Sequence, residues 1–427
     1  MIKDLNKMID KEIVIDGFID KIRNLQYVAF IILRDNTGFV QITILKDNMS
    51  ESNDLIDHLT LESTIKVTGK VVSNTKVKLN GLEIIPSNIL VTSKALPLPI
   101  DYKNKHNILR ETRLDYRFLD LRRRENFLLF KCQSFIEHAM REYFIDNDYV
   151  EIHTPKIGKN GAESGAEMFS LDYFDQKAYL SQSPQFYKQM AIASGFNKVF
   201  EIGPVFRAEN SHTSYHATEI LMIDVEIANV SEITEVMKEE ERWIKYFMNK
   251  LVDKYSEEIK EILNISLKPI DYTFPQIDFY EVKKILKNKY NSGLDDLDRQ
   301  EEKLIGDYVL DKYNSDFVFI TNYPYSARSF YVMQDDGTTK SYDLLYKGIE
   351  ITSGAIREHR YETLKEQIMA KGYNVNNFLF YLDFFKYGVP PHGGFGVGMN
   401  RLLMRLFEID NIREATFIYR GPTRLEP

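Results

Sequence analysis

The first part of the chain alternates apolar and polar positions with the period of two that is typical of β-strands. Four runs show this pattern, with polar turns between them: KEIVIDGFID, VAFIILRD, FVQITILK and STIKVTGKVV. They are rich in β-branched and aromatic residues, which favour strands, and Asn36-Thr37-Gly38 has the composition of a tight turn. The pattern predicts about five strands over residues 11–93.

A helix-like segment, SESNDLIDHLTL, follows the third predicted strand. Five strands with one helix between the third and the fourth are typical of a small Greek-key barrel of the oligonucleotide-binding (OB) type. A generic small β-barrel is the alternative that this pattern leaves open.

The pattern changes after the barrel region. Residues 94–108 contain two prolines and the polar run DYKNKHN, which predict a linker. Apolar residues then recur at helical spacing over residues 124–147, and residues 231–263 form a charged helical segment with Trp243 on its apolar face. We predict three parts: a barrel over residues 1–95, a linker or hinge over 96–123, and a mixed α and β domain over 124–427.

Composition places the chain among folded globular proteins, because 427 residues with 28% charged and 13% aromatic side chains exclude disordered and collagen-like classes. The net charge of −8 opposes non-specific adhesion to nucleic acid, although a local basic patch can still bind RNA. Cys132 is the single cysteine, so no internal disulfide forms, which indicates a core position and a reducing compartment. The start lacks an apolar leader and no run approaches the roughly 20 apolar residues of a membrane span, so we expect a cytoplasmic protein.

Several common kinds of site are excluded by their motifs. The chain contains no Gly-Lys-Ser or Gly-Lys-Thr phosphate loop, its eight histidines have no metal-ligand spacing, and nothing indicates a serine or cysteine nucleophile. A predicted hairpin is more informative: the strands VFEIGPVF and LMIDVEIA flank a polar loop, with Arg207 at its mouth. A guanidinium at a strand end suits bidentate phosphate binding, and a surface salt bridge is the alternative.

A second predicted hairpin, SYDLLYKGIEITSG, turns at Lys347-Gly348 or at Tyr346-Lys347. In either register, Asp343 and Glu350 project from the same face, where two carboxylates could hold Mg²⁺ together with phosphate oxygens. Two solvated acids are the alternative. Glu350 lies between two isoleucines in a strand that looks buried, and a buried carboxylate needs a partner.

A glycine-rich segment, GGFGVGMNR, leads into an apolar helix near the end of the chain. Glycines there would let the backbone approach a flat ligand, and Arg401 is expected at the start of the helix. A turn that simply feeds a helix is the alternative.

Together these features resemble the three signature motifs of class II aminoacyl-tRNA synthetases: Pro155 after a long helix, FRAEN with the loop to DVE, and GxGxxR opening a helix. The chain is similar almost end to end to aspartyl-tRNA synthetases of the archaeal and eukaryotic type. The segments that carry this likeness include RLDYRFLDLRR, GAESGAEMF, QSPQFYKQ, REHRYE and FKYGVPPHGGFG. The large insertion domain of the usual bacterial form is missing.

The resemblance implies an α+β architecture, with an OB barrel that reads the anticodon and a catalytic domain built on an antiparallel sheet. It implies that aspartate and ATP form aspartyl-adenylate with Mg²⁺, and that aspartate then passes to tRNA(Asp), or also to tRNA(Asn). It also implies a homodimer formed through the motif 1 helix.

The resemblance assigns a role to each matching residue. The ATP site would include Arg207 at the α-phosphate, Arg401 at the γ-phosphate end, and further Glu209, Tyr215, His216, Glu350, Gly398, Met399 and Asn400. Mg²⁺ would be held by Glu350 and Ser353, with Asp343 nearby. The aspartate pocket would comprise Glu163 for the ammonium, Gln185, Lys188, Arg207, Ser353, and Arg357 for the side-chain carboxylate. Anticodon bases would meet Phe30 by stacking and Gln41 by hydrogen bonding.

The chain departs from the family pattern at two positions of the ATP site. The motif 2 loop usually reads Arg-His-Leu, but Tyr215-His216-Ala217 stands here, so one phosphate-binding cation is missing. The residue before the motif 3 arginine is usually Glu and here is Asn400. A paralogue with a role outside translation, or a nucleic-acid-binding protein without catalysis, is therefore an alternative to the active enzyme.

The nearest rival activity is that of an asparaginyl-tRNA synthetase, which shares the architecture. Lys188 and Arg357 argue against it, because two cations around a neutral amide would leave charge unpaired in a dry pocket, at a cost of about 1 to 3 kcal/mol or more. We therefore expect aspartate as the substrate.

Overall fold

The structure is a computed structural model that describes residues 1–46, 56–104, 107–159, 167–287, 290, 293 and 295–427. The chain divides into two units, Met1–Phe127 and Leu128–Pro427. Each unit is built around its own hydrophobic core.

The first unit contains a closed five-stranded barrel with the strand order β1-β2-β3-β5-β4. Its strands are β1 (Glu12–Asn24), β2 (Val28–Asp35), β3 (Gly38–Leu45), β4 (Thr64–Ser73) and β5 (Leu82–Ser93). Ile31 and Leu33 are fully buried inside the barrel, whereas the alternate side chains of β2 face outward. The predicted barrel is confirmed, but half of the predicted helix between β3 and β4, residues 50–55, lies outside the described residues.

The segment predicted as a linker is folded, and it contains two short helices. They are α1 (Arg110–Asp115) and α2 (Arg117–Asp120). A buried network ties this segment to the barrel: Glu62 accepts hydrogen bonds from Arg34 at 2.8 Å, Tyr102 at 2.7 Å and Arg122 at 2.9 Å. Prolines and polar residues correctly indicate irregular backbone, but they carry no information about these long-range partners.

The second unit is organised around an eight-stranded sheet with the order β12-β13-β16-β17-β18-β11-β10-β6. The strands of this unit are β6 (Val150–Glu151), β7 (Ile157–Gly158), β8 (Ser170–Tyr173), β9 (Gln176–Leu180), β10 (Lys198–Phe206), β11 (Glu219–Ala228), β12 (Gln276–Asp278), β13 (Phe317–Thr321), β14 (Gln334–Asp335), β15 (Thr338–Thr339), β16 (Ser341–Tyr346), β17 (Ile349–Ile356) and β18 (His392–Gly398). The edge strands β12 and β6 pair in parallel, and the strands between them are antiparallel, as expected.

Eight helices belong to the described part of the second unit and to its junction with the first. They are α3 (Arg124–Asp146), α4 (Gln185–Ala193), α5 (Ile233–Leu263), α6 (Phe279–Leu286), α7 (Arg299–Tyr313), α8 (Tyr361–Ala370), α9 (Leu379–Phe385) and α10 (Met399–Leu406). Trp243 of α5 is fully buried and stacks on Phe144 of α3, with 5.1 Å between the ring centres. The two helices that the periodicity predicts, over residues 124–147 and 231–263, are confirmed.

The hairpin of β16 and β17 turns at Lys347-Gly348, which decides between the two registers. Both residues have positive φ, 48° and 70°, as a type I′ turn requires. The register shifts between Leu344 and Leu345, so that Leu345 pairs with Glu350 while Leu344 pairs with Thr352. This β-bulge adds one residue to β17, a local feature that the sequence pattern does not predict.

A buried acid under the sheet makes stability dependent on pH. Glu240 of α5 accepts a hydrogen bond from the Tyr342 hydroxyl at 2.6 Å, and burial raises the pKa of Glu240 from 4.5 to about 8. Because the folded chain holds this proton more tightly than the unfolded chain, its stabilising effect is complete below pH 4.5 and is lost as the pH rises toward about 8.

We therefore expect Glu240→Gln to flatten the decline of the melting temperature as the pH rises from about 5 to about 8. Thermal melts across this interval, monitored by circular dichroism, would measure the slope. Glu257→Gln, an exposed position on the same helix, serves as the control. Identical slopes for wild type and Glu240→Gln would contradict the assignment.

None of the helices in the described residues combines the length and the apolar character that crossing a bilayer requires.

Candidate functional site

A pocket of paired charges lies on the sheet of the second unit, where α4 meets β11, β17 and β18. Glu226 of β11 is fully buried and accepts hydrogen bonds from Arg357 Nε at 3.0 Å and Nη2 at 3.3 Å. Lys188 of α4 lies 3.3 Å from Glu226 and 3.1 Å from Asp224. The structure therefore brings together Lys188 and Arg357, the two cations that were predicted to form one pocket.

These cations are already neutralised by protein carboxylates. Burial alone would raise the pKa of Glu226, but Arg357 and Lys188 outweigh this effect and lower it, so the carboxylate is ionised. The expectation that both cations would be left unpaired beside a neutral amide is therefore wrong. The missed signal was the pair of acids in the apolar strand LMIDVEIA, Asp224 and Glu226.

The two cations differ in what they can offer a substrate. Lys188 directs its ammonium to Asp224 and to the carbonyls of Val225 and Phe395 at 3.3 and 3.4 Å, so its donors are occupied. Arg357 uses only Nε and Nη2 for Glu226, and its Nη1 has no hydrogen-bond partner among the residues that the structure describes. Arg357 is thus the cation with a free donor.

Buried amides continue the pocket along α4. The side chain of Gln185 donates to Gln189 at 2.9 Å, and Gln189 contacts the His392 ring at 2.8 Å. Burial lowers the pKa of His392, which favours the neutral imidazole. Glu163, predicted to bind an ammonium, lies outside the described residues.

Arg207 follows β10 at the mouth of the first predicted hairpin. Its backbone N–H donates to the Thr218 carbonyl at 2.9 Å, which fixes the backbone there. Its half-buried guanidinium has no hydrogen-bond or ion-pair partner in the part of the chain that the structure describes. The salt-bridge alternative is therefore not supported, and the five donors of Arg207 are available for a ligand.

The polar loop after Arg207 brings Glu209 and His216 together, with 3.6 Å between the carboxylate and Nε2 of the ring. Burial lowers the pKa of His216; Glu209 opposes this effect, and Arg401, Arg299 and Arg207 reinforce it. The charges of Arg207 and Arg401, the predicted motif 2 and motif 3 arginines, thus both favour a neutral His216 ring.

Glu350 has the partner that its position requires. Arg401 Nη1 lies 3.2 Å from the Glu350 carboxylate and 3.3 Å from its backbone carbonyl. The Glu350 N–H donates at 3.0 Å to Glu302 of α7, whose pKa is raised to about 7 by burial. Glu302 was not predicted, since nothing in the helical pattern of α7 distinguishes it.

The β-bulge places Glu350 and Ser353 on one face of β17, although residues three apart normally point to opposite faces. Both are accessible, whereas Ile351 and Thr352 between them are buried. Asp343 pairs with Ser353 in the register, but its carboxylate accepts a hydrogen bond from Arg328 at 2.8 Å. Asp343 is thus engaged by Arg328, a cation that the sequence did not indicate.

No group of three or more His, Cys, Asp or Glu within the described residues could hold a metal ion on its own. An accessible carboxylate beside a hydroxyl nevertheless suits Mg²⁺, which often binds through one or two carboxylates, phosphate oxygens and waters. Glu350 and Ser353 fit that requirement.

The glycine-rich strand β18 has a packing role. A Cβ at Gly394 would lie 2.0 Å from the Val225 carbonyl oxygen and 2.6 Å from the Glu226 carboxylate, so only glycine fits. Gly394 thus allows β18 to approach the charged pocket closely.

Two predicted ATP-site residues of motif 3 have side chains directed elsewhere. Met399 is fully buried in the core. The Asn400 amide donates to the Ala415 carbonyl and the Thr416 hydroxyl, each at 3.1 Å. Gly398 precedes α10, and Arg401 lies in its first turn as expected. Any nucleotide contact of residues 398–400 would come from their backbone.

The barrel carries a separate groove with a volume of about 960 Å³. The residues that line it include both predicted anticodon residues and four cations: Phe30, Gln41, Lys21, Arg23, Lys76 and Lys78. Ile32 pairs with Gln41 and Phe30 with Thr43, so these side chains share the outer face of β2 and β3. Phe30 is therefore not a residue of the barrel core.

A buried carboxylate orients Gln41 in this groove. Glu83 accepts hydrogen bonds from Gln41 at 3.2 Å and from Asn74 at 2.7 Å, and also from the Thr43 hydroxyl. Since Glu83 engages the amide N–H of Gln41, the amide oxygen is directed away from it. Glu83 was not predicted.

Comparisons with known proteins agree with this arrangement. A family described as tRNA synthetases class II (D, K and N) matches residues 109–419, and an OB-fold nucleic acid binding domain matches residues 13–92. The aspartate–tRNA(Asp) ligase of Pyrococcus abyssi is 43% identical over 98% of this chain and 96% of the relative. The aspartate–tRNA(Asp/Asn) ligase of Methanopyrus kandleri is 38% identical over 98% and 96%. Asparaginyl-tRNA synthetase from Pyrococcus horikoshii, crystallised with asparaginyl-adenylate, has a TM-score of 0.92 and 30% identity over 99% and 97%.

The sheet, the three motifs and the barrel define an aminoacyl-tRNA synthetase of class II. The chain belongs to the D, K and N family of that class, and the two full-length relatives from Pyrococcus abyssi and Methanopyrus kandleri are aspartate–tRNA ligases.

Proposed function

We propose that this protein activates L-aspartate with ATP and transfers the aspartyl group to tRNA(Asp). The observation that carries the proposal is the set of cations on offer to a ligand: Arg357 keeps a free donor, Arg207 has no partner among the described residues, and Arg401 lies beside the Glu350 carboxylate. The Arg357 donor suits a side-chain carboxylate, and Arg207 and Arg401 suit the phosphates of ATP. The 43% identity to the aspartate–tRNA(Asp) ligase of Pyrococcus abyssi, over 98% of this chain, supports aspartate as the substrate.

In the first step, the aspartate α-carboxylate attacks the α-phosphorus of ATP and pyrophosphate leaves. No general base is needed, because the nucleophile is already ionised at neutral pH. Arg207 neutralises the growing charge on the α-phosphoryl oxygens, and Arg401 holds the γ-phosphate end, which aligns attack and departure. Glu209 and His216 border the nucleotide, with His216 neutral.

Mg²⁺, when bound, would neutralise charge on the phosphates, and Glu350 with Ser353 would hold it. Arg401 Nη1 lies 3.2 Å from the Glu350 carboxylate, so the two phosphate-facing groups are held side by side. In the second step, a terminal ribose hydroxyl of the tRNA attacks the acyl carbon and AMP leaves.

Aspartate-dependent exchange of pyrophosphate into ATP tests the first step. Exchange with aspartate and none with asparagine would support the proposal, whereas preference for asparagine would overturn it. The asparaginyl alternative is favoured by one observation, the neutralisation of Lys188 and Arg357 by Asp224 and Glu226, which leaves no net charge to reject an amide.

Charging of purified tRNA(Asp) and tRNA(Asn) would decide which tRNAs are substrates. Charging of tRNA(Asp) alone would define a discriminating enzyme, and charging of both would define the Asp/Asn form.

The barrel groove supports a role in anticodon recognition, with Phe30 as a stacking platform. We expect Phe30→Ala to weaken tRNA aminoacylation by roughly 1 to 3 kcal/mol, because one base would lose its aromatic partner. Adenylate formation should be unchanged. Steady-state charging with tRNA as the varied substrate, beside pyrophosphate exchange, would measure the two effects.

Gln41→Ala should act in the same direction, through loss of a hydrogen bond to a base edge. Equal loss of both activities, or a lower melting temperature with unchanged tRNA affinity, would mean that Phe30 supports the barrel instead.

We also propose that the protein is a cytoplasmic homodimer. The proposed parts of each chain are a barrel over residues 1–95, a linker over 96–123 and a catalytic domain over 124–427. Apolar side chains near the end of the motif 1 helix support an interface, since Ile145 and Val150 are 59% and 45% exposed. Sedimentation equilibrium would measure the oligomeric state.

A further inference from the structure

The motif 2 loop carries a tyrosine at a position where the family pattern has arginine. A phenol cannot supply the positive charge that a guanidinium offers to phosphate oxygens. The loop therefore needs a cation from elsewhere if ATP is to be neutralised equally well.

A guanidinium from another element occupies the space over this tyrosine. Arg299, the first residue of α7, stacks on Tyr215 with 4.6 Å between its Cζ atom and the ring centre. The two residues are far apart in sequence and meet only in the fold. A flat guanidinium over an aromatic face is a favourable and oriented contact.

The backbone that carries Arg299 is held firmly. Asp298 caps α7, accepting hydrogen bonds from the N–H groups of Gln300 and Glu301 at 2.9 Å each. The Glu301 side chain bonds back to the Asp298 N–H, which completes a capping box. The start of α7 therefore presents Arg299 in a defined position.

The charge of Arg299 reaches the nucleotide side of the site. It acts on the His216 ring together with Arg207 and Arg401, the two arginines assigned to the phosphates. Its Nη1 lies 2.8 Å from Glu302, the carboxylate that also accepts the Glu350 N–H. Arg299 is 36% exposed, so it can exchange this partner for a ligand without leaving the protein surface.

We propose that Arg299 replaces the missing motif 2 cation and binds the β- and γ-phosphate end of ATP, with Tyr215 as the platform that orients it. This inference rests on the proposed function, because it assumes that ATP occupies the site between Arg207 and Arg401. The inference explains the departure from the family pattern at Tyr215. Arg299 of α7 supplies the positive charge that the loop arginine supplies in the family pattern, and this charge acts on the same end of ATP.

The test is the ATP dependence of Arg299→Ala, measured both by equilibrium binding of Mg-ATP and by aspartate-dependent pyrophosphate exchange. We expect the Kd and the KM for ATP to rise about tenfold or more, because a charge-assisted contact is lost. The KM for aspartate should stay within about twofold, since the contacts of Arg299 are with Tyr215 and Glu302 and not with the residues paired to Glu226. Arg299→Lys should be intermediate, because it keeps the charge but not the planar stack.

The decisive comparison is Tyr215→Arg in the Arg299→Ala background, which should recover most of the ATP affinity. Lys303→Ala, an exposed cation on the same helix, controls for a general change in charge and should behave as wild type. Unchanged ATP binding by Arg299→Ala, an equal rise in the aspartate KM, or no rescue by Tyr215→Arg would each overturn the inference.

Failure of the proposed function would look different. Wild-type protein without aspartate-dependent exchange would refute aspartate activation, whereas Mg-ATP binding by wild type and Arg299→Ala would still decide the role of Arg299.

Discussion

Arg357→Lys is expected to lose most aspartate activation while remaining folded. The free Nη1 of Arg357 is the donor that a substrate carboxylate would meet, and the other two nitrogens hold Glu226. A lysine retains the charge beside Glu226, but its single ammonium cannot serve both carboxylates in the geometry of a guanidinium fork. We expect kcat/KM for aspartate to fall by about 100-fold or more, equivalent to about 3 kcal/mol.

Pyrophosphate exchange with aspartate as the varied substrate measures this effect, and the KM for ATP should change little. Arg360→Lys is the matched control, because Arg360 is exposed and pairs with Glu358 outside the pocket. Unchanged aspartate kinetics in Arg357→Lys would refute the assignment of Arg357 to the side-chain carboxylate.

The complete removal of this cation is a less clean experiment. Arg357→Leu is expected to abolish aspartate activation, because the substrate carboxylate would lose its partner. In the structure it would also leave the buried Glu226 with Lys188 alone, and breaking such a pair costs about 3 to 5 kcal/mol of stability. The leucine variant therefore needs a melting temperature beside its kinetics.

Local patterns predicted most of the fold. The period of two predicted the barrel strands, and helical spacing predicted α3 and α5. The turn residues left two positions open for the second hairpin, of which the structure has Lys347-Gly348. These signals are local, because each depends on residues within one element or turn. These local signals did not predict the β-bulge in β17, since the position of a single extra residue depends on packing against the neighbouring strands.

The electrostatic partners of the site were predictable only in part. Lys188, Arg207, Arg357 and Arg401 were identified by resemblance. Glu226 as the partner of Arg357, Arg328 as the partner of Asp343, and the pair of Arg299 and Glu302 were not. Such pairs join residues that are distant in sequence or that lie on helices with ordinary charge patterns. These pairs matter for the chemistry of the site, because they determine which hydrogen-bond donors remain free for a substrate.

Glu350→Gln is expected to reduce adenylate formation by orders of magnitude and to raise the Mg²⁺ concentration needed for half-maximal rate. A neutral amide is a poorer ligand for a hard cation than a carboxylate, so the metal would lose its main protein contact. The same change removes the carboxylate that lies 3.2 Å from Arg401, and the freed guanidinium could bind phosphates more tightly or become disordered.

Mg²⁺ titrations at several ATP concentrations separate these effects, because loss of a metal ligand shifts the Mg²⁺ requirement, whereas misplacement of Arg401 shifts only the KM for ATP. Glu350→Asp should retain more activity than Glu350→Gln, and Glu366→Gln, at an exposed position of α8, should match wild type. Wild-type activity of Glu350→Gln at limiting Mg²⁺ would show that Glu350 serves to position Arg401 and does not hold the metal.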